Sequence, residues 1–383
     1  MKVLMIGWEL PPFNSGGLGV ACYFLAKELS KKLDLTFTLP ENLPIKNIPF
    51  KVLFASKEII KIKGYFEKYK FSFDQNLLSL IFSYAERILA VYKEKPDFVH
   101  GHDWFTAPAT YFLGKYFNVP TLIHVHSTEI ERTGGNPNPI IFQIEKEYFS
   151  KIDKILPVGE LTKNMLINRY GIQPEKIFVL PNGFEWSAKE TIIPQYLKYL
   201  KDNNWKIVIF VGRLVLQKGP DYFLRTLPLV KKYFPKTKYI FIGSGDMFLD
   251  LIRITKELKV EENVIFTSFL REEKLWGVYS LADVLVVPSV ADPFGLVVLE
   301  GINFNLPVIA SRQTGVGYYL NHLMKFEFWD TREMANKIIG LLKYDKMNKE
   351  YRKNIYFEAK SKFDWQKTAE KLYNLYLTLK CHQ

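Results

Sequence analysis

Two pairs of charged residues in the second half of the chain have types and spacing suited to chemistry. Arg213 and Lys218 lie in the segment 212–219, directly after an apolar run that ends at Val211. Two cations at the carboxyl end of a strand suit a diphosphate, and they would stabilise negative charge growing on a departing nucleotide. Asp292 and Glu300 lie in the stretch 283–300. There Val284–Val287 reads as a strand buried on both faces, Pro288 ends it, Ser289–Phe294 form a loop, and Gly295 opens a helix from Leu296. Glu300 then sits about one and a half turns into that helix. Its carboxylate can accept two hydrogen bonds from vicinal ribose hydroxyls. Asp292, on the loop, is placed either to hold sugar hydroxyls or to cap the helix.

The first half carries a second set. Gly16 and Gly17 separate the first strand from its helix, where glycines permit a tight turn or close backbone approach to a ligand, and where the helix N-terminus favours a phosphate. Asp103 follows a strand and is placed to bind a sugar hydroxyl or to cap the next helix. His124 and His126 end a strand with one residue between them. They are expected to point to opposite faces, so that a single ring meets a cleft and a shared metal ion is disfavoured. The chain has no Asp-x-Asp, Gly-x-Ser-x-Gly, His-Glu-x-x-His or Walker-type segment, so neither a nucleotide-bound divalent cation nor those hydrolase and NTPase chemistries are signalled.

The elements that must position these residues form two successive βαβ series. In the first, strands are expected at 2–7, 35–39, 97–100, 121–126, 154–158 and 177–180. Amphipathic helices fall between them, including one with Leu18, Cys22, Leu25 and Leu29 on one face. Residues 40–75 read as short strands and loops, and 127–139 as a polar glycine- and proline-rich loop. After a passage at 184–205, the second series has strands at 207–211, 238–242, 264–267, 284–287 and 308–310, with a helix at 222–234. A final amphipathic helix at 364–379 carries Trp365, Ala369, Leu372, Tyr376 and Leu379 on one face. The expected domains are 1–190 with 363–383, and 191–362.

With 383 residues, 48% hydrophobic and 24% charged, the chain is a globular protein too long for one core. Its net charge of +12 suits an anionic ligand, nucleic acid or an acidic membrane surface. The lysines are dispersed and no nucleic-acid motif is present, so nucleic acid is not an expected partner. Peripheral membrane contact stays open. Two distant cysteines, Cys22 and Cys381, give neither a disulfide framework nor metal-ligand spacing, which suits a cytoplasmic protein. No apolar run is long enough to span a bilayer.

Taken together, Pro-Pro-x-x-x-Gly-Gly-Leu at 11–18, His-Asp-Trp at 102–104, His126-Ser-Thr-Glu129 with Arg132, Pro-Asn-Gly at 181–183, Gly-Arg-Leu-x-x-Gln-Lys-Gly at 212–219, Gly-Ser-Gly-Asp at 243–246, Asp-Pro-Phe-Gly-Leu-Val-Val-Leu-Glu at 292–300 and Thr-Gly at 314–315 make nearly the whole chain resemble the retaining GT-B glycosyltransferases, closest to the glycogen/starch synthase-like families 4 and 5. The resemblance implies an α/β fold of two facing Rossmann-like domains with parallel sheets, and a C-terminal helix that crosses back to the N-terminal domain. It implies a nucleotide-sugar donor on the C-terminal domain and a glucan or other glycan acceptor on the N-terminal domain, with no metal and no cofactor. Arg213 and Lys218 match the family's phosphate-binding pair, Glu300 its ribose-binding glutamate, and Asp292 the first acid of its E-x7-E motif. His126 matches its active-site histidine, with Asp103 and Glu129 on the acceptor side. Gly17, Gly245, Phe294, Gly295, Leu296, Thr314 and Gly315 complete the donor-binding set. The expected activity is transfer of glucose from UDP-glucose or ADP-glucose to an α-1,4-glucan. The alternatives are a small sugar, sugar-phosphate or lipid acceptor, a nucleotide-sugar 2-epimerase, and a non-catalytic glycan-binding protein. Three positions depart from the family pattern: Asn14 where family 5 carries lysine, Asp292 where a glutamate is usual, and Val316 where a second glycine is usual.

Overall fold

The computed structural model describes residues 1–13, 17–56, 75–270 and 272–381. Gly16, Asn14 and most of the expected short strands of 40–75 lie outside the described residues. The chain divides into two compact units, Met1–Gly183 with Phe363–Gln383, and Phe184–Lys362.

The first unit is built on β1 (Lys2–Ile6), β2 (Asp34–Leu39), β3 (Lys51–Phe54), β4 (Phe98–His102), β5 (Thr121–Val125) and β6 (Lys154–Pro157). They pair in the order β3-β2-β1-β4-β5-β6, every neighbour parallel. Strand order reverses between β1 and β4, the point where a doubly wound sheet opens a crevice beyond its carboxyl ends. The short apolar strands are buried on both faces because helices cover both sides, as a parallel sheet requires. The helix Gly17–Leu29 buries Cys22, Leu25 and Leu29. The last helix, Trp365–Cys381, places Trp365, Ala369, Leu372 and Tyr376 in the same apolar cluster. A large apolar side chain such as Leu25, Leu29 or Leu372 contributes about 1.5–3 kcal/mol of burial, which is why the end of the chain belongs to the first unit.

The second unit repeats the arrangement with β7 (Lys206–Val211), β8 (Thr237–Ile242), β9 (Val264–Phe266), β10 (Val284–Val287), β11 (Val308–Ser311) and β12 (Met324–Phe326). The order is β12-β11-β10-β7-β8-β9, again all parallel, with the reversal between β7 and β10.

Two expected elements are corrected. Residues 177–180 form no strand: a single bridge joins Ile155 and Ile177, and the N–H groups of Phe178 and Leu180 donate to Ile155 and Pro157 at 2.9 Å. Pro174 and Pro181 flank this segment and confine the pairing. The helix expected at 222–234 is two, Pro220–Arg225 and Leu227–Tyr233. Pro228 lacks the N–H that a continuous helix would direct at Leu224, and the break falls at Thr226. The edge strand β12 escaped the sequence because three residues with a central lysine give no apolar run. Among the described residues no helix is long and apolar enough to cross a membrane.

Candidate functional site

In the second unit, the loops after β7 and β10 flank the strand-order reversal. The β7 loop turns sharply: the N–H of Lys218 donates to the Val215 carbonyl at 2.9 Å. Gly219 then adopts φ of 62°, and a Cβ there would lie 2.3 Å from the Pro288 carbonyl oxygen. Only glycine lets the two loops approach this closely. The approach also aligns Gln217, whose carbonyl accepts the N–H groups of Val290 and Ala291 at 2.9 and 3.2 Å. Lys218 Nζ consequently reaches Asp292 Oδ2 at 2.7 Å. Arg213, on the same loop, is exposed and directs a guanidinium nitrogen to Gln217 Oε1 at 3.4 Å.

The loop after β11 packs against the β10 loop on the side away from β7. Asp292 and Thr314 form a parallel bridge, and the N–H of Gly315 donates to the Asp292 carbonyl at 2.8 Å. A Cβ on Gly315 would stand 1.9 Å from the Pro293 carbonyl oxygen. Phe294 is buried beneath this contact, while Gly295 caps the helix Leu296–Asn303 in the left-handed region. Asp292 therefore does not cap that helix; its carboxylate faces Lys218. Gly245, in the loop after β8, packs its backbone against the Leu214 carbonyl. Glu300 is the fifth residue of its helix and accepts a hydrogen bond from Tyr279 Oη at 2.8 Å. Burial raises the Glu300 carboxyl pKa, and the tyrosine hydroxyl opposes the rise. Tyr279, which the sequence reading did not single out, is fully enclosed and stacked with Phe304.

In the first unit Asp103 follows β4, which borders the strand-order reversal, and His126 follows the neighbouring β5. Asp103 follows β4 with φ of 57°, and its carboxylate accepts the N–H of His126 at 2.6 Å and of Ser127 at 3.4 Å. It therefore fixes the chain leaving β5 rather than capping its own helix. Burial pushes its pKa up to about 7, against the Arg132 charge and the two N–H donors. Burial also drives the His126 pKa down to about 3, so the ring is neutral at pH 7. Glu129, expected on the acceptor side, is engaged within its own loop. One oxygen accepts from Arg132 Nε at 3.1 Å and the other from the Asn138 N–H at 3.2 Å. Arg132 also binds Glu145 and the Ser127 carbonyl, the latter at 2.6 Å, so this buried network shapes the loop after β5. Gly17 begins the helix Gly17–Leu29 and is exposed.

The expected opposition of His124 and His126 is wrong. Residues two apart on a strand share a face, and their ring centroids lie 4.4 Å apart. The same alternation on β4 brings His100 and His102 beside them. All four histidines thus form one array, legible from the pattern His-x-His on two adjacent strands.

Comparison with known proteins matches the two units separately. Residues 15–185 match the model of Glycosyltransferase Family 4, and residues 194–357 that of Glycosyl transferases group 1. An uncharacterized glycosyltransferase of Methanocaldococcus jannaschii is 30% identical over 84% of this chain and 83% of its own length. A glycogen synthase of Mycobacterium tuberculosis is 23% identical over 83% of this chain and 79% of its own. Among solved structures, sucrose-phosphate synthase from Thermosynechococcus elongatus superposes with a TM-score of 0.79 at 19% identity, over 100% of both chains. Two six-stranded parallel sheets wound in the same order, matched along their length by these relatives, place the chain in the GT-B glycosyltransferase family.

Proposed function

We propose that this glycosyltransferase moves glucose, with retention of anomeric configuration and without a metal ion, from UDP-glucose or ADP-glucose to an α-1,4-glucan. One observation carries the donor half of this reading: the Lys218–Asp292 pair spans the loops after β7 and β10, at the strand-order reversal where open α/β sheets bind ligands. The position fits a nucleoside diphosphate-sugar. Arg213 and Lys218 hold the diphosphate and stabilise it as it departs. Glu300, oriented by Tyr279, accepts hydrogen bonds from the ribose hydroxyls. Asp292 meets a sugar hydroxyl and keeps the lysine aimed. Thr314, Gly315, Phe294, Gly295, Leu296 and Gly245 line the donor, and Gly17 is assigned to the donor-binding set by its motif alone.

Asp103 and His126 serve the acceptor side, with Asp103 holding the His126 backbone and the neutral imidazole lining the reacting sugar. Glu129 and Arg132 act through the loop they shape. No side chain is assigned as a nucleophile. The acceptor hydroxyl attacks the anomeric carbon on the face that the diphosphate leaves, and a phosphate oxygen takes its proton. The glucan acceptor is supported by the glycogen synthase relative. The test is release of UDP or ADP from each nucleotide-glucose, with no divalent cation added, in the presence and absence of glycogen, maltose or glucose 6-phosphate. Release that depends on glycogen or maltose supports the proposal. Release only with the sugar phosphate would move the acceptor to a small molecule. Isomerised donor without a glycoside would indicate a 2-epimerase, and donor binding without turnover a binding protein.

A further inference from the structure

The parallel register of β4 and β5 sets His102 opposite His124, and alternation puts His100 on the same face. All three side chains are fully buried in the first unit. Each engages one ring nitrogen. His100 Nδ1 meets Tyr376 Oη at 2.5 Å, His102 Nδ1 meets His126 Nε2 at 3.2 Å, and His124 Nε2 meets the Leu180 carbonyl at 3.3 Å. The remaining nitrogens, His100 Nε2, His102 Nε2 and His124 Nδ1, have no hydrogen-bond partner.

The chemistry of these contacts fixes where lone pairs lie. A carbonyl only accepts, so His124 carries its proton on Nε2 and a lone pair on the unpartnered Nδ1. If Tyr376 Oη accepts from His100 Nδ1 and His126 Nε2 accepts from His102 Nδ1, all three unpartnered nitrogens carry lone pairs. Buried acceptors without donors are costly, and three imidazoles in this state form a ligand set. Each outer nitrogen would be held by a carbonyl, hydroxyl or second imidazole, which is how metal-binding histidines are oriented. One ring nitrogen of each of these three histidines lies within 4.8 Å of the others. A tetrahedral zinc ion sets its ligand nitrogens about 3.4 Å apart, from zinc–nitrogen bonds of about 2.0–2.1 Å. The His100 and His102 rings are stacked with centroids 5.0 Å apart, so they must turn for their lone pairs to converge on one ion.

We propose that His100, His102 and His124 bind one late first-row transition-metal ion of the Zn²⁺ or Co²⁺ class inside the first unit. Three imidazoles suit such an ion and exclude Mg²⁺ and Ca²⁺, which require oxygen ligands. A second group, Cys22 with His102 and His126, overlaps the first at His102. Cys22 comes from the helix Gly17–Leu29 and adjoins the site without completing it. The ion is structural and takes no part in donor binding by the second unit or in the transfer itself, which stays metal-independent. It ties β4 to β5 and, through His102, holds the His126 ring.

The test is titration of the chelator-treated intact chain with Co²⁺ and Zn²⁺, read by visible d–d absorption, metal stoichiometry and thermal melting. The expected result is one Co²⁺ per chain with four-coordinate, tetrahedral absorption from the three imidazoles and one water. Zn²⁺ at about a hundred times its Kd should raise Tm by roughly 5 °C or more. His124→Leu and His100→Leu should each weaken binding by at least ~10²-fold, and circular dichroism reports whether they fold. His322→Ala, at an exposed histidine, should leave binding intact. The proposal is overturned if the wild type gives neither absorption nor a Tm shift. It is overturned equally if His124→Leu and His100→Leu fold and keep full affinity, if His322→Ala abolishes the signal, or if sulfur-to-cobalt charge transfer shows Cys22 replacing a histidine. Should neither leucine variant fold, the wild-type stoichiometry and the His322→Ala result decide.

Discussion

Lys218 is assigned two jobs, bracing Asp292 and stabilising the departing diphosphate, and substitution can separate them. The amine and carboxylate stand 2.7 Å apart with side chains 23% and 11% exposed. Lys218→Ala leaves the carboxylate with Ser289 Oγ at 3.5 Å, too long to replace a charged partner. Removing one member of an enclosed pair costs about 3–5 kcal/mol, and the solvent that reaches this pair reduces the expected loss to about 1–2 kcal/mol. In a unit of this size that is a fall in Tm of about 2–8 °C. Asp292→Asn in the same chain removes the uncompensated charge, so the double variant should regain most of the lost stability. Turnover should not follow: Lys218→Ala should lower kcat by at least ~10²-fold, and the double variant should remain as slow. Thermal melting and nucleoside diphosphate release at saturating donor give the two readouts. If the double variant recovers both stability and turnover, the lysine is a brace and the diphosphate assignment fails.

Other variants probe the surrounding contacts. Tyr279→Phe keeps the ring stacked on Phe304 but deletes the 2.8 Å bond to Glu300. Loss of part of a charged hydrogen bond of about 1.5–3 kcal/mol should raise donor KM about tenfold with kcat nearly unchanged; an unchanged KM would count against Glu300 as a ribose ligand. Gly315→Ala introduces a Cβ 1.9 Å from the Pro293 carbonyl oxygen. The loops must part, with a cost of about 1–3 kcal/mol in stability and at least a tenfold fall in kcat/KM; normal values for both would show that the close approach is dispensable. Glu358 tests the acid limb. Burial opposes its ionisation, but hydrogen bonds from Lys362 and from the His322 and Asn321 N–H groups outweigh it and hold the carboxyl at about 2, below its usual 4.5. Its folded pKa is depressed, so its contribution is complete above pH 4.5 and disappears as pH falls toward 2. Glu358→Gln should lower Tm at pH 7, with the difference from wild type closing across that window; a pH-independent difference would refute the linkage.

The two sheets were legible because most strands are short apolar runs separated by helices at helical spacing, as Val284–Val287 and Ile207–Val211 illustrate. The failures have local causes. Pro228 splits a helix whose apolar pattern runs straight through it, and Met324–Phe326 is too short to show a pattern. Within the site, Arg213, Lys218, Asp292 and Glu300 stood out because charges after a strand are informative. Tyr279 did not, because an aromatic in an amphipathic helix looks like core until its hydroxyl meets Glu300. Glu129 was singled out from its place in a motif, whereas its hydrogen bonds to Arg132 and Asn138 depend on how the loop folds. The histidine array was missed through the period of the strand, since residues 124 and 126 share a face and their neighbours on β4 repeat the spacing.

Direct binding of UDP and ADP to the intact chain, measured calorimetrically without added divalent cations, tests the central claim that the β7–β10 crevice is the nucleoside diphosphate site. The account predicts one site for the matching nucleotide, weakened at least tenfold by Lys218→Ala or Arg213→Ala and little changed by His126→Ala. Equal affinity in the wild type and both cation variants, or no binding of either nucleotide, would contradict it.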